Sequence, residues 1–237
     1  MLENVNYRNI LFIDIETVPQ YKNHKELPPH ISELWEKKIS VLKKDSEETA
    51  ETSYKRAGIY AEFGKIICIS CGYFTNDDVF RIKSYYGNDE GKLLSDFSTL
   101  LNKSFSAPDK LLCAHNGKEF DFPYLCRRLL INGLPLPAIL NIAGKKPWEI
   151  AHLDTMELWK FGDYKSYTTL NLLCAVFNIP TPKDDIDGSM VWQVYWEENN
   201  LERIVSYCQK DVLTVAQIFR RFRGEELISD DDVEIMN

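Results

Sequence analysis

The sequence predicts an α/β protein whose mixed sheet is flanked by helices. Two observations predict this class: three strand-like segments come first, and helical and strand-like segments then alternate along the chain. The chain has 237 residues, of which 44% are hydrophobic and 27% charged, a composition typical of soluble globular proteins. A chain of this length can bury most of its apolar surface in one domain, and we expect residues 1–224 to form it.

The individual elements follow from the spacing of apolar residues between turn residues. A first strand is predicted at residues 8–16, and further strands are predicted at 65–74, 79–86, 110–115 and 151–154. Helical periodicity predicts helices at 89–103, 119–131, 167–178, 189–198 and 200–223. Asp89 is the expected N-cap of the first of these helices.

Two segments do not fit the alternation. Residues 20–63 separate the first two strands and contain one helix-like pattern followed by a polar stretch. They form either a lid or rim over a site or an inert surface excursion, and their length favours the first interpretation. Residues 225–237 contain six acids and no base, so we expect a disordered tail. Of the net charge of −8, this tail carries −6, which leaves −2 on residues 1–224.

The cysteines and the hydropathy pattern predict a cytoplasmic protein. Cys68 and Cys71 have the C-x-x-C spacing of a zinc knuckle, but they lie in a predicted strand and would point to opposite faces. Buried thiols in a reducing compartment are the favoured interpretation of all six cysteines. No apolar run approaches the roughly 20 residues of a membrane span, and the N-terminus lacks the pattern of a secretion signal. We therefore expect no membrane partner.

Two acids interrupt the most apolar run near the N-terminus, "ILFIDIET". Asp14 and Glu16 stand two apart on the predicted strand, so their side chains share one face. Neighbouring carboxylates in a poor dielectric repel each other, so one must stay protonated or both must bind cations. The pair predicts a cation site, although two acids at this spacing also arise by chance.

Two further segments carry polar residues at the ends of predicted elements. In "AHNGKEFDFPYL", a strand ends near Asn116 and Asp121 opens a helix, a position that the helix dipole favours for any acid. In "SYCQKDV", Tyr207 and Asp211 stand four apart and share a helix face. That face lies to one side of the apolar stripe of the helix, where the helix would meet the sheet.

The order of these three segments resembles the exonuclease motifs of the DEDD, or DnaQ-like, 3′–5′ exonucleases. A tyrosine four residues before the last aspartate is typical of the DEDDy branch, and "HNGKEFDFPYL" is similar to the exonuclease domain of family B DNA polymerases in stand-alone form. The resemblance runs from about Ile10 to Phe222 and implies an RNase H-like fold. It also implies the following catalytic residues: Asp14, Glu16, Asp121, Tyr207 and Asp211.

The resemblance implies a reaction that uses two divalent cations. Four carboxylates are hard oxygen ligands suited to two Mg²⁺ or Mn²⁺ ions, which can stabilise the attacking and leaving oxygens of a phosphodiester. Asp14 would bridge the two ions, Glu16 and Asp211 would hold the one beside the attacking water, and Asp121 would act through the other. Tyr207 would orient the water, because a free tyrosine titrates near pH 10 and is a poor base.

We expect this activity to act on the 3′ end of single-stranded DNA and to release nucleoside 5′-monophosphates. Thr17, Val18, Asn116 and Phe120 are candidate contacts to the terminal nucleotides. An RNA-trimming exonuclease of the same fold remains an alternative, since the motifs do not distinguish substrates with a 2′-hydroxyl. A catalytically silent module that binds nucleic acid or a protein partner is a third possibility.

Overall fold

The computed structural model describes residues 2–42, 48–163, 165–180 and 186–236. In these residues a six-stranded sheet packs between helices, which confirms the predicted α/β class. The strands are β1 Ile10–Pro19, β2 Gly64–Phe74, β3 Phe80–Tyr86, β4 Leu111–Ala114, β5 Leu153–Asp154 and β6 Val233–Met236. The helices are α1 Pro29–Leu42, α2 Ala50–Ser53, α3 Glu90–Ser104, α4 Asp121–Ile131, α5 Thr155–Lys160, α6 Leu170–Phe177, α7 Val191–Trp196 and α8 Leu201–Arg223.

The sheet is mixed, with the strand order β5-β4-β1-β2-β3-β6. β2 is antiparallel to β1 and β3, whereas β4 pairs parallel to both β1 and β5. The hairpin predicted between the second and third strands is therefore present. β1 lies in the middle of the sheet, which accounts for its almost complete burial.

Helices cover both faces of the sheet because the side chains of β1 alternate between them. Leu11 and Ile13 pack on one face in a core that contains residues of α3 and α4. Ile10 and Phe12 pack on the other face against α8, where the Phe12 and Phe219 ring centroids lie 5.5 Å apart. The long helix α8 thus covers the face to which the even-numbered residues of β1 point.

The segment between β1 and β2 has a small core of its own. Trp35 of α1 is buried against the rings of Tyr54 and Phe63, and its indole nitrogen donates to the carbonyl of Ala50 at 2.8 Å. This core holds a 3₁₀ helix, Tyr54–Ile59, against β1. Of the predicted 20–63 segment, residues 43–47 lie outside the described residues.

The expectation of a disordered tail is wrong for residues 225–236. β6 pairs in parallel with the outer edge of β3, and Arg81 forms an ion pair with Glu234 at 2.6 Å. Upstream, the side chain of Gln217 both donates to the carbonyl of Ile228 and accepts from its N–H. A free sheet edge supplies backbone hydrogen bonds to any extended segment, and this overrides the acidic composition of the tail.

The placement of Cys68 and Cys71 confirms one further expectation. Cys68 and Cys71 are buried on opposite faces of β2, and all six cysteines are free thiols. Each helix among the described residues is too short or too polar to cross a membrane.

Candidate active site

The alternation of β1 carries Asp14 and Glu16 to the same face as Ile10 and Phe12. These two acids therefore point towards α8, at the end of the strand where its register shifts in a bulge after Glu16. The fully buried Cys208 of α8 donates from Sγ to the carbonyl oxygen of Asp14 at 3.4 Å. This contact fixes the distance between the helix and the strand at the level of the acids.

An opening forms beside these acids because β4 is shorter than β1. β4 pairs with β1 only as far as Phe12, and the chain then turns away at Asn116 and Gly117. Asn116 adopts a left-handed conformation with φ of 62°, which asparagine tolerates better than most residues. At Gly117 a Cβ atom would lie 2.4 Å from that of Ala114, so the turn requires glycine.

Asp154 stabilises this turn through backbone hydrogen bonds. Its carboxylate accepts hydrogen bonds from the backbone N–H groups of Asn116 and Lys118 at 2.9 and 3.0 Å, and it also caps α5. Both ring nitrogens of His115 are likewise engaged, with the hydroxyl of Thr155 and the carbonyl of Thr168 at 2.9 Å each. These hydrogen bonds hold in place the turn that borders the cavity.

The turn places Asp121 at the start of α4, next to β1. Its side chain is buried, and the backbone at Ile15, between the two acids of β1, hydrogen-bonds its carboxyl group. From the opposite side, α8 presents Tyr207 and Asp211, which share one helix face as the four-residue spacing predicts. Three separate elements therefore bring their polar side chains to one place.

All five predicted catalytic residues line a single cavity of about 470 Å³. The residues concerned are Asp14, Glu16, Asp121, Tyr207 and Asp211.

Burial and mutual repulsion raise the pKa values of Asp14, Glu16 and Asp121. Burial, followed by the charges of Glu16, Asp211 and Asp121, raises the pKa of Asp14 well above its ordinary value. Burial and the charge of Asp211 act in the same direction on the pKa of Glu16. Burial raises the pKa of Asp121 to about 7, although hydrogen bonds from the backbone oppose the rise. Without cations, the cluster is electrostatically unfavourable at neutral pH.

The donor atoms of this cluster suit a divalent cation. Asp14 Oδ2 is buried and lacks a hydrogen-bond partner among the described residues, which is unusual for a buried carboxylate oxygen. Ligand atoms of Asp14, Glu16 and Cys208 all lie within 4.8 Å of one another. Carboxylate oxygens are the ligands that Mg²⁺ and Mn²⁺ prefer, and a cation among them would remove the repulsion.

Tyr207 is held in its neutral form. Burial, and next the negative charges of Asp211, Glu16 and Asp14, raise the pKa of its phenol far above the ordinary value. The phenol also forms a hydrogen bond with the side chain of Asp211. A neutral phenol at this position can donate or accept a hydrogen bond in the cavity, but it cannot serve as a general base.

Three of the four predicted substrate contacts line the cavity, and one lies outside it. Thr17, Asn116 and Phe120 line the cavity together with the acids. Val18 does not: its side chain is fully buried in a core with Ile67 and residues of α7. The bulge after Glu16 re-aims the strand, so the side chain of Val18, a predicted contact of the terminal nucleotides, lies outside the cavity.

Several residues that line the cavity were not found from the sequence. Lys55, Arg56 and Gly58 come from the 3₁₀ helix of the segment between β1 and β2, and Trp192 comes from α7. Of the segment 20–63, residues of this 3₁₀ helix therefore form part of the cavity lining. The adjacent basic residues in "SYKRAG" were the one available signal, and basic pairs usually belong to solvated faces.

Comparison with known proteins gives a family and structural relatives. Residues 59–231 match the family described as "Predicted 3'-5' exonuclease related to the exonuclease domain of PolB". The matched range includes Asp121, Tyr207 and Asp211, whereas Asp14 and Glu16 precede it. No curated protein matches the chain significantly.

Among solved structures, the chain is similar to the family B DNA polymerase from the hyperthermophilic archaeon Pyrobaculum calidifontis. The identity is 18% and the TM-score 0.49, over 90% of this chain. The chain spans only 24% of the length of that polymerase.

Proposed function

The chain belongs to the family of predicted 3′–5′ exonucleases related to the exonuclease domain of PolB, and we propose that it is a metal-dependent 3′–5′ exonuclease. Its substrate in this proposal is the 3′ end of single-stranded DNA, from which it releases nucleoside 5′-monophosphates. The relation of the family to a DNA polymerase domain supports a nucleic-acid substrate, and supports DNA before RNA.

The observation that carries the proposal is the convergence of four carboxylates and one tyrosine on a single cavity. These side chains come from β1, the start of α4 and the middle of α8, which are far apart in the sequence. A chain with a purely binding role has no need to bury mutually repelling acids in an open cavity, since each raises the free energy of the folded state.

In this proposal the carboxylates of Asp14, Glu16, Asp121 and Asp211 hold two Mg²⁺ or Mn²⁺ ions. When bound, such ions supply positive charge that stabilises the oxygens of a phosphodiester undergoing in-line displacement. The unpartnered oxygen of Asp14 and the raised pKa values of Asp14 and Glu16 support the assignment, because both are the expected state of a cation site without its cation.

Tyr207 positions the attacking water in this proposal and does not take its proton. Its phenol is neutral because burial and the neighbouring acids disfavour the phenolate. It forms a hydrogen bond with Asp211, which restricts its rotation, and both residues line the cavity. Asn116, Thr17 and Phe120 line the same cavity and are proposed contacts of the terminal nucleotides.

Side-by-side digestion of matched DNA and RNA oligonucleotides tests the proposal. Each oligonucleotide carries a 5′ fluorophore and is incubated with the protein and Mg²⁺, with Asp14→Ala and Asp211→Ala as controls. We expect a ladder of DNA products shortened from the 3′ end, mononucleotides with a 5′-phosphate, and no cleavage by either control variant.

Other outcomes identify the alternatives. Faster cleavage of RNA would overturn the DNA assignment and indicate an exoribonuclease, which tolerates the 2′-hydroxyl. Absence of cleavage from any substrate, with bound metal demonstrated by calorimetry, would overturn the exonuclease assignment in favour of a binding module. Full activity in Asp14→Ala or Asp211→Ala would show that the chemistry lies elsewhere.

A further inference from the structure

The cavity has two walls of opposite charge. One wall carries the four acids of the proposed catalytic site, and the other is formed by the 3₁₀ helix Tyr54–Ile59. Among the described residues that line the cavity, Lys55 and Arg56 are the side chains with a permanent positive charge, and both belong to this second wall. They lie within the segment between β1 and β2, outside the range matched to the family.

Close backbone packing fixes the position of the second wall. A Cβ atom at Gly58 would lie 2.9 Å from the backbone carbon atoms of Val18, so the 3₁₀ helix is in direct contact with the end of β1. The hydroxyl of Tyr124 in α4 donates to the carbonyl of Gly58 at 2.6 Å. With the small core around Trp35 behind it, this helix is attached to the same strand that carries Asp14 and Glu16.

The side chains of Lys55 and Arg56 make surface contacts that a ligand can replace. The Lys55 ammonium lies 3.9 Å from the centroid of the Trp192 ring and 3.8 Å from a carboxylate oxygen of Glu197, and its side chain is 60% exposed. Arg56 forms an ion pair with Glu48, with 58% of its side chain exposed. Exposed ion pairs of this kind contribute about 0–1 kcal/mol, so an incoming anion can replace the carboxylates at little cost.

A nucleic-acid strand adds the negative charge of its phosphates to a cavity that already contains four acids. Divalent cations held by these acids would offset the charge at the reacting phosphate, while the neighbouring phosphates would need positively charged partners of their own. Lys55 and Arg56 line the same cavity as the acids, on the 3₁₀ helix that contacts the end of β1. Lysine and arginine side chains are the usual partners of such phosphates in proteins.

We propose that Lys55 and Arg56 bind the phosphodiester backbone next to the 3′-terminal nucleotide and so position the end of the strand over the acids. This assignment rests on the proposed exonuclease function and deepens it by naming the residues that hold the strand. The recognition is of phosphate charge, so it carries no sequence preference.

Salt-dependent binding tests this assignment separately from catalysis. The probe is a short oligothymidylate with a 5′ fluorophore, and its anisotropy is measured with the protein in Ca²⁺ at increasing potassium chloride concentrations. We expect the double variant Lys55→Ala/Arg56→Ala to bind roughly tenfold more weakly at low salt, with the salt slope reduced by about 1.4, since each single-strand phosphate contact contributes about 0.7.

Two control variants make the result specific. Lys25→Ala removes an exposed cation of the same segment, paired with Glu51 and outside the cavity lining, and should leave the slope unchanged. Lys55→Arg/Arg56→Lys keeps both charges and should retain the wild-type slope, which separates lost phosphate contacts from a damaged fold. In the Mg²⁺ digestion assay, the double alanine variant should raise KM more than it lowers kcat.

The failures of the two proposals are distinguishable. If the wild-type protein binds the oligothymidylate and the double alanine variant keeps its affinity and slope, the assignment of Lys55 and Arg56 is overturned while the exonuclease proposal stands. If the wild-type protein binds no single-stranded nucleic acid at all, the exonuclease proposal itself is overturned, together with this assignment.

Discussion

At the scale of single residues, the site is defined by carboxylates that the fold forces together. β1 delivers Asp14 and Glu16, and the first turn of α4 delivers Asp121 to the backbone between them. Each raises the pKa of its neighbours, so the cluster stores electrostatic repulsion that bound cations would relieve.

The stability of the metal-free protein should fall as the pH rises. The carboxyl of Asp121 titrates at about 7 in the folded protein but near 3.9 in an unfolded chain, so between these values the folded state binds more protons. The free energy of unfolding therefore decreases from about pH 4 to about pH 7, by a few kcal/mol at most for this group. Urea unfolding in EDTA at several pH values measures the effect.

Asp121→Asn is the matched control for this pH dependence. The variant lacks the titrating group, so its stability should fall less steeply than that of the wild type over the same pH range. Adding Mg²⁺ or Mn²⁺ at pH 8 should restore stability to the wild type, because the cation binds only the folded state. An identical slope in the two proteins would show that Asp121 does not titrate in this range.

Tyr207→Phe should keep the fold and lower the rate of cleavage. The substitution removes the hydroxyl that hydrogen-bonds Asp211 but preserves the ring that packs beside the core of α7. We expect kcat to fall about 10- to 100-fold, as for loss of a positioning hydrogen bond, with KM little changed. Single-turnover digestion measures this, and wild-type rates across the pH range would rule out the positioning role.

At the scale of elements, the cavity depends on where each element stops and on what approaches it. β4 ends early, β1 bulges after Glu16, and the 3₁₀ helix Tyr54–Ile59 closes the far side through a backbone contact at Gly58. A change at Gly58 therefore tests the element without touching any of the charged residues.

Gly58→Ala should push the 3₁₀ helix away from β1. The added methyl group would meet backbone atoms of Val18, which cannot move as a flexible side chain would. We expect a loss of about 1–3 kcal/mol in the free energy of unfolding and a higher KM for single-stranded substrate. Denaturant unfolding and steady-state digestion measure the two effects.

Gly188→Ala is the control for this substitution. Gly188 also lines the cavity, but a Cβ atom there would meet nothing within 4 Å. It should therefore change neither stability nor KM appreciably. Equal effects of the two substitutions would mean that the backbone contact at Gly58 does not hold the wall in place.

The sequence predicted most elements because their signals are local. The apolar stripe of α8 predicted residues 200–223 as a helix, and the structure has Leu201–Arg223. The helix predicted at 167–178 begins at Leu170 instead, after Thr169 caps it. α5 and β6 were missed, because a six-residue helix and an acidic four-residue strand carry little periodicity.

The acids and the tyrosine of the candidate site could be named from the sequence because their signals are also local. The acids and Tyr207 stand at characteristic spacings within single elements, which a sequence pattern records. The basic wall is produced by a long-range backbone contact between Gly58 and Val18, and the burial of Val18 by a bulge, and neither leaves a local signature. Pairing between distant segments accounts for what sequence reasoning missed.

At the scale of the whole molecule, the site and the tail lie in different parts of the sheet. The acids stand on β1 near the middle of the sheet, while β6 lies at one edge, beyond β2 and β3. The edge strand and the hydrogen bonds between Gln217 and Ile228 therefore serve stability, and activity should be largely independent of them.

Two truncations test this separation. Deleting residues 229–237 removes β6 but keeps Ile228. Deleting 225–237 also removes the buried Ile228, so the buried amide of Gln217 loses its hydrogen bonds to the carbonyl and the N–H of Ile228. We expect the longer deletion to destabilise the protein by about 2–4 kcal/mol more than the shorter one. The activity of the folded fraction should be unchanged, and loss of activity at unchanged stability would contradict this division.

The proposed function requires that acids from distant segments gather around divalent cations. The anomalous difference density of a crystal soaked in Mn²⁺ measures this arrangement. We expect one or two manganese peaks in contact with the carboxylates of Asp14, Glu16 and Asp211, between β1 and α8. Density that shows these carboxylates pointing apart, or no manganese between the strand and the helix, would contradict it.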